Sequence, residues 1–396
     1  MKIGIYGGSF NPIHRGHLTA AQSAAQQLGL DRLLLIPASV PPHKQLSADS
    51  ADAQQRLEMT VLSTAELRCK AEVLDIEIKR SGKSYTSDTL RQLKAIYPDD
   101  ELWLLMGTDM FLSFHTWHEP EVITALASIG AFSRTEEGED EAFAAQKAFL
   151  EREYGARVVT MTNPDVIEIS STQVRAALPT GDGEEYLTPA VYGYILRHWL
   201  YGTKADLKHL TTDELRAAAL SHLKPKRMPH VLGTEQEAMR LAKRYGADVK
   251  DAQTAALLHD CTKKLSMEEQ LALCEQYDVK LDALQRSALK LQHAMTGAEV
   301  ARHVYGVNDA VYEAIRWHTT GKADMSLLEK VIYIADYIEP TRDFPGVEEL
   351  RRVVWEDLDR GLLLGLEMTI EEMAHWGNPV HEDTVNARNY LAEQLR

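Results

Sequence analysis

Cysteine is scarce. Cys69, Cys261 and Cys274 are the only three in 396 residues, and their spacing makes neither a disulfide framework nor a C-x-x-C metal or redox pair. A reducing cytoplasm is the compartment this usage predicts. Long apolar runs are missing as well: nothing approaches the roughly 18 uninterrupted apolar residues of a membrane-spanning helix. Met1-Lys2-Ile3-Gly4-Ile5 runs straight into a strand pattern, with no cationic segment, long apolar stretch and cleavage site. The third absence is an excess of positive charge. With 43 Lys and Arg against 59 Asp and Glu the formal net charge is -16. Sequence-independent binding to DNA, RNA or an anionic membrane depends on Lys and Arg neutralising phosphates, so no nucleic acid and no membrane are expected as partners. Small anions still have local sites open to them. An internal repeat, a low-complexity tract and a G-x-G-x-x-G dinucleotide fingerprint are also lacking.

What is present is the composition of a globular protein, 44% hydrophobic and 26% charged, at a length that suits two or three domains. The first 200 residues alternate short apolar runs with helical patterns. Strands are predicted at Lys2 to Tyr6, Arg32 to Ile36, Val73 to Ile78, Leu102 to Met106, Ile129 to Ser133 and Arg157 to Met161. Helices are predicted at His17 to Leu28, Ala51 to Leu67, Ser87 to Ile96 and Ala142 to Tyr154, and a closing helix at Pro189 to Tyr201. This rhythm predicts a doubly wound α/β fold with a mostly parallel sheet. Gly202-Thr203-Lys204-Ala205-Asp206 is a polar break, and beyond it helical periodicity is nearly continuous. The predicted division is therefore an α/β domain over residues 1–202, a linker over 203–209 and an all-α domain over 210–396.

The first candidate site is Gly7-Gly8-Ser9-Phe10-Asn11-Pro12-Ile13-His14-Arg15-Gly16-His17, which follows the first strand and opens the first helix. Open α/β sheets bind ligands at this edge, and backbone amides at a helix start can hold phosphate. His14 and His17, three residues apart, put two imidazoles near one face of the turn, where they can donate hydrogen bonds to a triphosphate. On spacing alone, local helix capping by the two histidines stands open beside this reading.

The run G-G-S-F-N-P-I-H-R-G-H-L resembles the first signature of the nucleotidyltransferase superfamily with the H-x-G-H motif, a Rossmann-like fold, and Ile169-Ser170-Ser171-Thr172-Gln173-Val174-Arg175 resembles its second. Within it, residues 1 to about 201 are similar to bacterial nicotinate mononucleotide adenylyltransferases through Pro41-Pro42-His43-Lys44, Tyr85-Thr86, Gly107-Thr108-Asp109, Trp117 and Phe132-Ser133-Arg134. The resemblance implies transfer of AMP from ATP, with its Mg2+, to nicotinate mononucleotide, giving deamido-NAD and pyrophosphate. Gly7, Gly8, Ser9 and Phe10 would then form the nucleotide turn, His14 and His17 would meet the phosphates, and Ser170, Ser171 and Arg175 would hold the β and γ groups. Trp117 would stack on the pyridine ring, Thr86 would read its carboxylate, and Lys44, Gly107, Asp109 and Arg134 would complete the site. Taken singly, each has a plainer role: Trp117 as a packing aromatic, Asp109 as a helix cap, Lys44 as a solvated cation and Arg134 as an edge-strand charge. Another phosphorylated acceptor, phosphopantetheine foremost, is the alternative within the superfamily.

The second candidate site is His259-Asp260, which follows the apolar helical run Thr254-Ala255-Ala256-Leu257-Leu258. A polar pair at the end of a buried helix must be satisfied, and metal coordination is one way of doing so. His230 lies 29 residues earlier, and Asp336 ends the apolar run Val331-Ile332-Tyr333-Ile334-Ala335. These four residues would make a mixed nitrogen and oxygen shell, and His293 with His318 would complete a second metal position if Asp260 bridges. Such donors suit iron, manganese, zinc or nickel. With 15 histidines in the chain, any one of them alone is more simply a surface or core residue.

This half resembles the HD metal-dependent phosphohydrolases. Through His230-Val231-Leu232-Gly233-Thr234, His259-Asp260-Cys261-Thr262-Lys263-Lys264, Trp317-His318-Thr319-Thr320-Gly321 and Ala335-Asp336-Tyr337-Ile338-Glu339-Pro340-Thr341-Arg342 it is similar to bacterial symmetrical diadenosine tetraphosphate hydrolases. The resemblance implies an all-α HD domain, a divalent transition metal with iron first, and cleavage of diadenosine tetraphosphate into two ADP. Lys263, Thr319 and Arg342 would contact phosphate, and Glu339 and Asp343 would orient ligands. Met228-Pro229 before His230 departs from the pattern. The alternative from another class is a regulatory module that binds nucleotide or metal without turnover.

Overall fold

The computed structural model describes residues 1–42, 45–47, 49–80, 82–133, 139–162, 167 and 169–396 and divides into two units, Met1–Lys204 and Ala205–Arg396. In the first, six parallel strands stand in the order β3-β2-β1-β4-β5-β6: β1 (Lys2–Gly8), β2 (Arg32–Pro37), β3 (Ala71–Val73), β4 (Glu101–Gly107), β5 (Ser128–Ser133) and β6 (Val158–Thr162). Ile5 of β1 pairs with Leu34 on one side and Leu104 on the other. Helices cover a parallel sheet on both faces, so its central strands are continuously apolar instead of alternating. Leu33, Leu34, Leu35 and Ile36 of β2 are all fully buried. Strand order reverses between β1 and β4, and a crevice opens at the carboxyl ends of these two strands. Gly7 and Gly8 end β1 on one side of that crevice, and Gly107 ends β4 on the other.

The predicted strand from Val73 to Ile78 is corrected. Only Ala71–Val73 pairs with β2, and Ile76–Lys79 is a short helix. Six residues of alternating polarity are too few to separate a strand from a helical turn, and tertiary pairing decides. The turn carries Glu77 inward, where the Thr89 hydroxyl donates to it at 2.6 Å. The predicted helix from Ala51 to Leu67 is Ala53–Ser63 followed by a 3-10 turn, and the closing helix is Pro189–Arg197 followed by another at Leu200–Gly202.

The second unit is built from helices, with no strand among its described residues. Ala238, Leu241 and Ala242 of the helix Met228–Tyr245 and Ala252, Ala255 and Ala256 of Val249–Leu258 are fully buried, and the alanines among them let helix axes approach closely. The helix Leu327–Ile338 adds Val331, Ile332, Ile334 and Ala335 to the same core. Pro229 falls in the first turn of Met228–Tyr245, where a missing N–H leaves no helical bond unmade, so the departure noted before His230 costs nothing.

Candidate active sites

The turn after β1 is pinned from several directions. Phe10 holds a left-handed backbone, φ 44°, with its ring buried and edge-on to the His17 ring at 5.3 Å. His14 caps the helix Arg15–Leu28 in an extended conformation; its backbone N–H donates to His17 Nδ1 at 3.2 Å, and the two ring centroids lie 3.7 Å apart. With Nδ1 accepting, the proton of His17 belongs on Nε2. Capping and phosphate contact, alternatives on spacing, are thus compatible in one geometry. Gly16 between them permits a close approach: a Cβ there would come to 3.0 Å from the Ile167 carbonyl and 3.1 Å from the His14 ring, so a larger residue would need those neighbours to shift.

The second motif closes on the first. Ser171 Oγ donates to the Pro12 carbonyl at 2.9 Å, and Arg175 Nη1 donates to the Asn11 carbonyl at 2.7 Å. Ser170 caps the short helix Ser171–Ala177 by accepting from Gln173 N. A cavity of about 890 Å³ opens over the turn, within the usual range for a small-molecule site. Its lining includes Gly7, Gly8, Ser9, Phe10, His14, His17, Thr86, Gly107, Asp109, Trp117, Ser170 and Ser171. Arg175 braces the turn from outside this lining. Lys44 and Arg134 lie outside the described residues. Trp117 is half-buried, its ring 5.3 Å from that of Phe114. Sequence reading missed Glu77, which lines the cavity and whose carboxyl burial pushes up to about 7. Its place in an apparent strand concealed it.

Burial lowers the His14 imidazole to about 4, so it is neutral at pH 7 and offers one N–H donor. The folded value lies below the unfolded one of 6.5, so the unfolded chain takes up the proton first as pH falls. Stability contributed by neutral His14 is therefore complete above pH 6.5 and declines towards pH 4. Calorimetric unfolding at pH 7 and pH 4.5 is expected to show an acid loss roughly 2 to 3 kcal/mol larger in the wild-type protein than in His14→Asn. Equal losses would contradict the buried neutral histidine.

In the second unit, ligand atoms of His230, His259 and Asp260, of His259, His318 and Asp336, and of Asp260, His293 and His318 lie within 4.8 Å of one another in each set. Local structure aims the rings. His259 and His318 each follow the end of a helix, and each turns Nδ1 to a carbonyl three residues back, Ala256 at 2.6 Å and Ile315 at 2.7 Å. His230 turns Nδ1 to Glu339 Oε1 at 2.9 Å. Anchoring Nδ1 in this way fixes the tautomer and leaves the Nε2 lone pair for a metal. His230 Nε2 is 2.9 Å from Asp336 Oδ1, and His293 Nε2 is 3.2 Å from Asp260 Oδ1 and 3.1 Å from His318 Nε2. Buried His259 Nε2 has no hydrogen-bond partner among the described residues. A Cβ at Gly233 would push the Glu339 carboxylate out of its place, so the glycine leaves room for the group that anchors His230.

The protonation states match the geometry. Burial pushes the Asp260 carboxyl up, but His259, His293 and Lys263 outweigh it and hold the group well below the usual carboxylate range. Against the same burial, His230, His259 and Arg342 hold Asp336 well below. Burial lowers His259 to about 4, and burial with repulsion from His259 and His293 lowers His318 well below its ordinary value. Ionised Asp260 and Asp336 beside neutral His259 and His318 are what a divalent cation requires, so the residues present fit one. Three cations border the cluster. Lys263 Nζ donates to Asp260 Oδ1 at 3.1 Å, Arg342 Nη2 to Asp336 Oδ1 at 2.7 Å and Arg227 Nε to Asp260 Oδ2 at 2.5 Å. Arg227 escaped the sequence reading, although its place three residues before His230 was a usable signal. Thr319 is half-buried directly after His318, and Asp343 is exposed.

Residues 5–177 match the cytidylyltransferase-like family, and residues 227–341 match the HD domain family. The first half is 38% identical over 215 residues to a protein of a Shewanella species named as a probable nicotinate-nucleotide adenylyltransferase, covering 51% of this chain and 99% of that relative. A Thermus thermophilus protein of the same name is 40% identical over 202 residues, covering 51% of this chain and 100% of the relative. Among solved structures, a predicted HD superfamily hydrolase involved in NAD metabolism from Clostridium acetobutylicum is similar at 40% identity and a TM-score of 0.45, covering 47% of this chain and 98% of that one.

Proposed function

Because the chain belongs to the nicotinate-nucleotide adenylyltransferase family through its first unit and carries an HD domain in its second, we propose that it is a bifunctional enzyme. Its first unit transfers AMP from ATP to nicotinate mononucleotide, and its second hydrolyses diadenosine tetraphosphate to two ADP in a metal-dependent reaction.

The observation that supports the first activity is the meeting of His14, His17, Ser170, Ser171 and Trp117 on one cavity at the sheet's switch point. ATP, accompanied by Mg2+, lies with its phosphates over the Gly7-Gly8 turn. The mononucleotide phosphate attacks the α-phosphorus, the bond from that phosphorus to the bridging oxygen breaks, and pyrophosphate leaves. An ionised phosphate needs no general base, so the protein's contribution is placement and stabilisation of charge. His14, held neutral by burial, and His17 through Nε2 supply N–H donors to the phosphates, with Ser170 and Ser171 at the other motif. Trp117 stacks on the pyridine ring, and Thr86, Gly107 and Asp109 contact the acceptor and ribose. Lys44 and Arg134 are proposed as further substrate or nucleotide contacts, and Arg175 acts through the Asn11 carbonyl it holds. Full-length protein given ATP and nicotinate mononucleotide is expected to release deamido-NAD and pyrophosphate in equal amounts. Turnover with phosphopantetheine and none with the mononucleotide would contradict this acceptor.

For the second activity the supporting observation is the convergence of four histidines and two aspartates in overlapping ligand sets. His230, His259, Asp260 and Asp336 would hold a first divalent ion, and Asp260, His293 and His318 a second. When bound, such ions, iron first and manganese, zinc or nickel as alternatives, supply Lewis-acid activation of a phosphoanhydride. Lys263, Arg342 and Arg227 balance the charge of the two carboxylates and of an arriving polyphosphate, and Thr319 adds a hydroxyl beside His318. Glu339 keeps the His230 ring in place.

A further inference from the structure

Arg56 is 1% exposed, and its guanidinium gives its donors to main-chain carbonyls. Nη1 reaches the Ser9 carbonyl at 2.7 Å and the Ala38 carbonyl at 2.6 Å, Nη2 the Ser39 carbonyl at 3.1 Å and Nε the Ala51 carbonyl at 3.3 Å. These acceptors lie on three separate stretches: the turn after β1, the loop after β2 and the approach to the helix that bears Arg56. Ser9 and Ala38 both line the cavity. From Ser39 the linkage continues, because its N–H donates to Ser84 Oγ at 3.0 Å, and Ser84 lines the cavity two residues before Thr86. On the other side of left-handed Phe10, Arg175 takes the Asn11 carbonyl, so an arginine grips the backbone on each side of that strained residue.

A buried cation is expensive. Where stability alone is at stake, buried ionic groups are often replaced by apolar side chains of similar volume without loss. A planar fork of five donors, however, can bind several carbonyls at fixed angles, and no apolar residue can do that. Lysine offers only a point charge and three donors around one nitrogen. We propose that Arg56 is a positioning residue for adenylyl transfer: it fixes the Gly8-Ser9 turn against the Ala38-Ser39 loop and so sets the separation of the phosphate site from the Thr86 wall. This rests on the adenylyltransferase reading given above. Misplacement of reacting groups by about 1 Å costs on the order of 100-fold in rate, which sets the size of the expected effect.

The test uses the full chain and two readouts, steady-state deamido-NAD formation with ATP varied and ATP affinity by titration calorimetry. Arg56→Ala is expected to weaken ATP binding about tenfold or more and to lower kcat about 100-fold. Guanidinium chloride at millimolar concentration should restore part of both, and Arg56→Lys should fall between the variant and the wild type. Unchanged ATP affinity in a folded Arg56→Ala protein would overturn the proposal. If Arg56→Ala fails to fold, Arg56→Lys decides: a raised KM for ATP at an unchanged thermal midpoint supports the role, and wild-type kinetics or a mere loss of active fraction refutes it. Failure of the wild-type protein to make deamido-NAD while it still binds ATP would remove the activity reading, and ATP affinity would still decide the part played by Arg56.

Discussion

Replacing His17 by alanine is expected to lower kcat for adenylyl transfer by about 10²- to 10³-fold, the usual size for loss of one donor aimed at developing charge. Two interactions go at once. The ring lines the cavity and is the acceptor for the His14 backbone N–H, so the substitution removes a donor to phosphate and frees the first turn of the helix. The second effect is a capping loss of about 0.5 to 2 kcal/mol. Asparagine separates the two, because its side-chain oxygen can still accept from the His14 amide. His17→Asn should regain most of the thermal stability and little of the rate. Steady-state kinetics beside thermal unfolding reads both quantities, and a His17→Ala enzyme within threefold of wild type would remove the phosphate role from the histidine pair.

Asp260→Asn is expected to abolish diadenosine tetraphosphate hydrolysis, a loss of at least about 10³-fold, since metal activation supplies several kcal/mol of transition-state stabilisation. Asp260 lies in two of the three ligand sets and is the carboxylate on which Arg227 and Lys263 both converge. An amide of equal volume keeps the packing but loses the charge that a cation needs, so bound metal per chain should fall with the rate. Glu339→Gln acts at one remove: it weakens the anchor on His230 Nδ1 and should cost about 10- to 100-fold in metal affinity. Metal analysis of both purified variants, with circular dichroism and thermal unfolding as the control for a folded second unit, distinguishes loss of the ion from loss of the fold. Full metal content and full hydrolysis in Asp260→Asn would contradict the ligand assignment.

Much of this arrangement was legible in the sequence because it depends on short spacing or on apolar context. A glycine pair ending an apolar strand, followed by histidines three apart, has few structural solutions, and the turn follows one of them. His259-Asp260 and Asp336 stood out as polar residues ending apolar helices, which a chain seldom tolerates without a purpose. Other residues draw their meaning from tertiary structure. Arg56 reads as an ordinary helix cation until three loops are folded over it, and Glu77 reads as a strand residue until the short helix turns it into the cavity. Arg227 reaches Asp260 because a 3-10 turn at Pro225–Arg227 leads into the helix that carries His230. Only the sequence distance from His230 hinted at that.

The most direct measurement is chromatography of the products from diadenosine tetraphosphate and full-length protein loaded with Fe(II) or Mn(II), beside Asp260→Asn. The account predicts metal-dependent release of ADP alone, two per substrate consumed, and none from the variant. Release of ATP with AMP would contradict symmetrical cleavage, and binding of the substrate with metal in place but no product would make the second unit a sensor and not an enzyme.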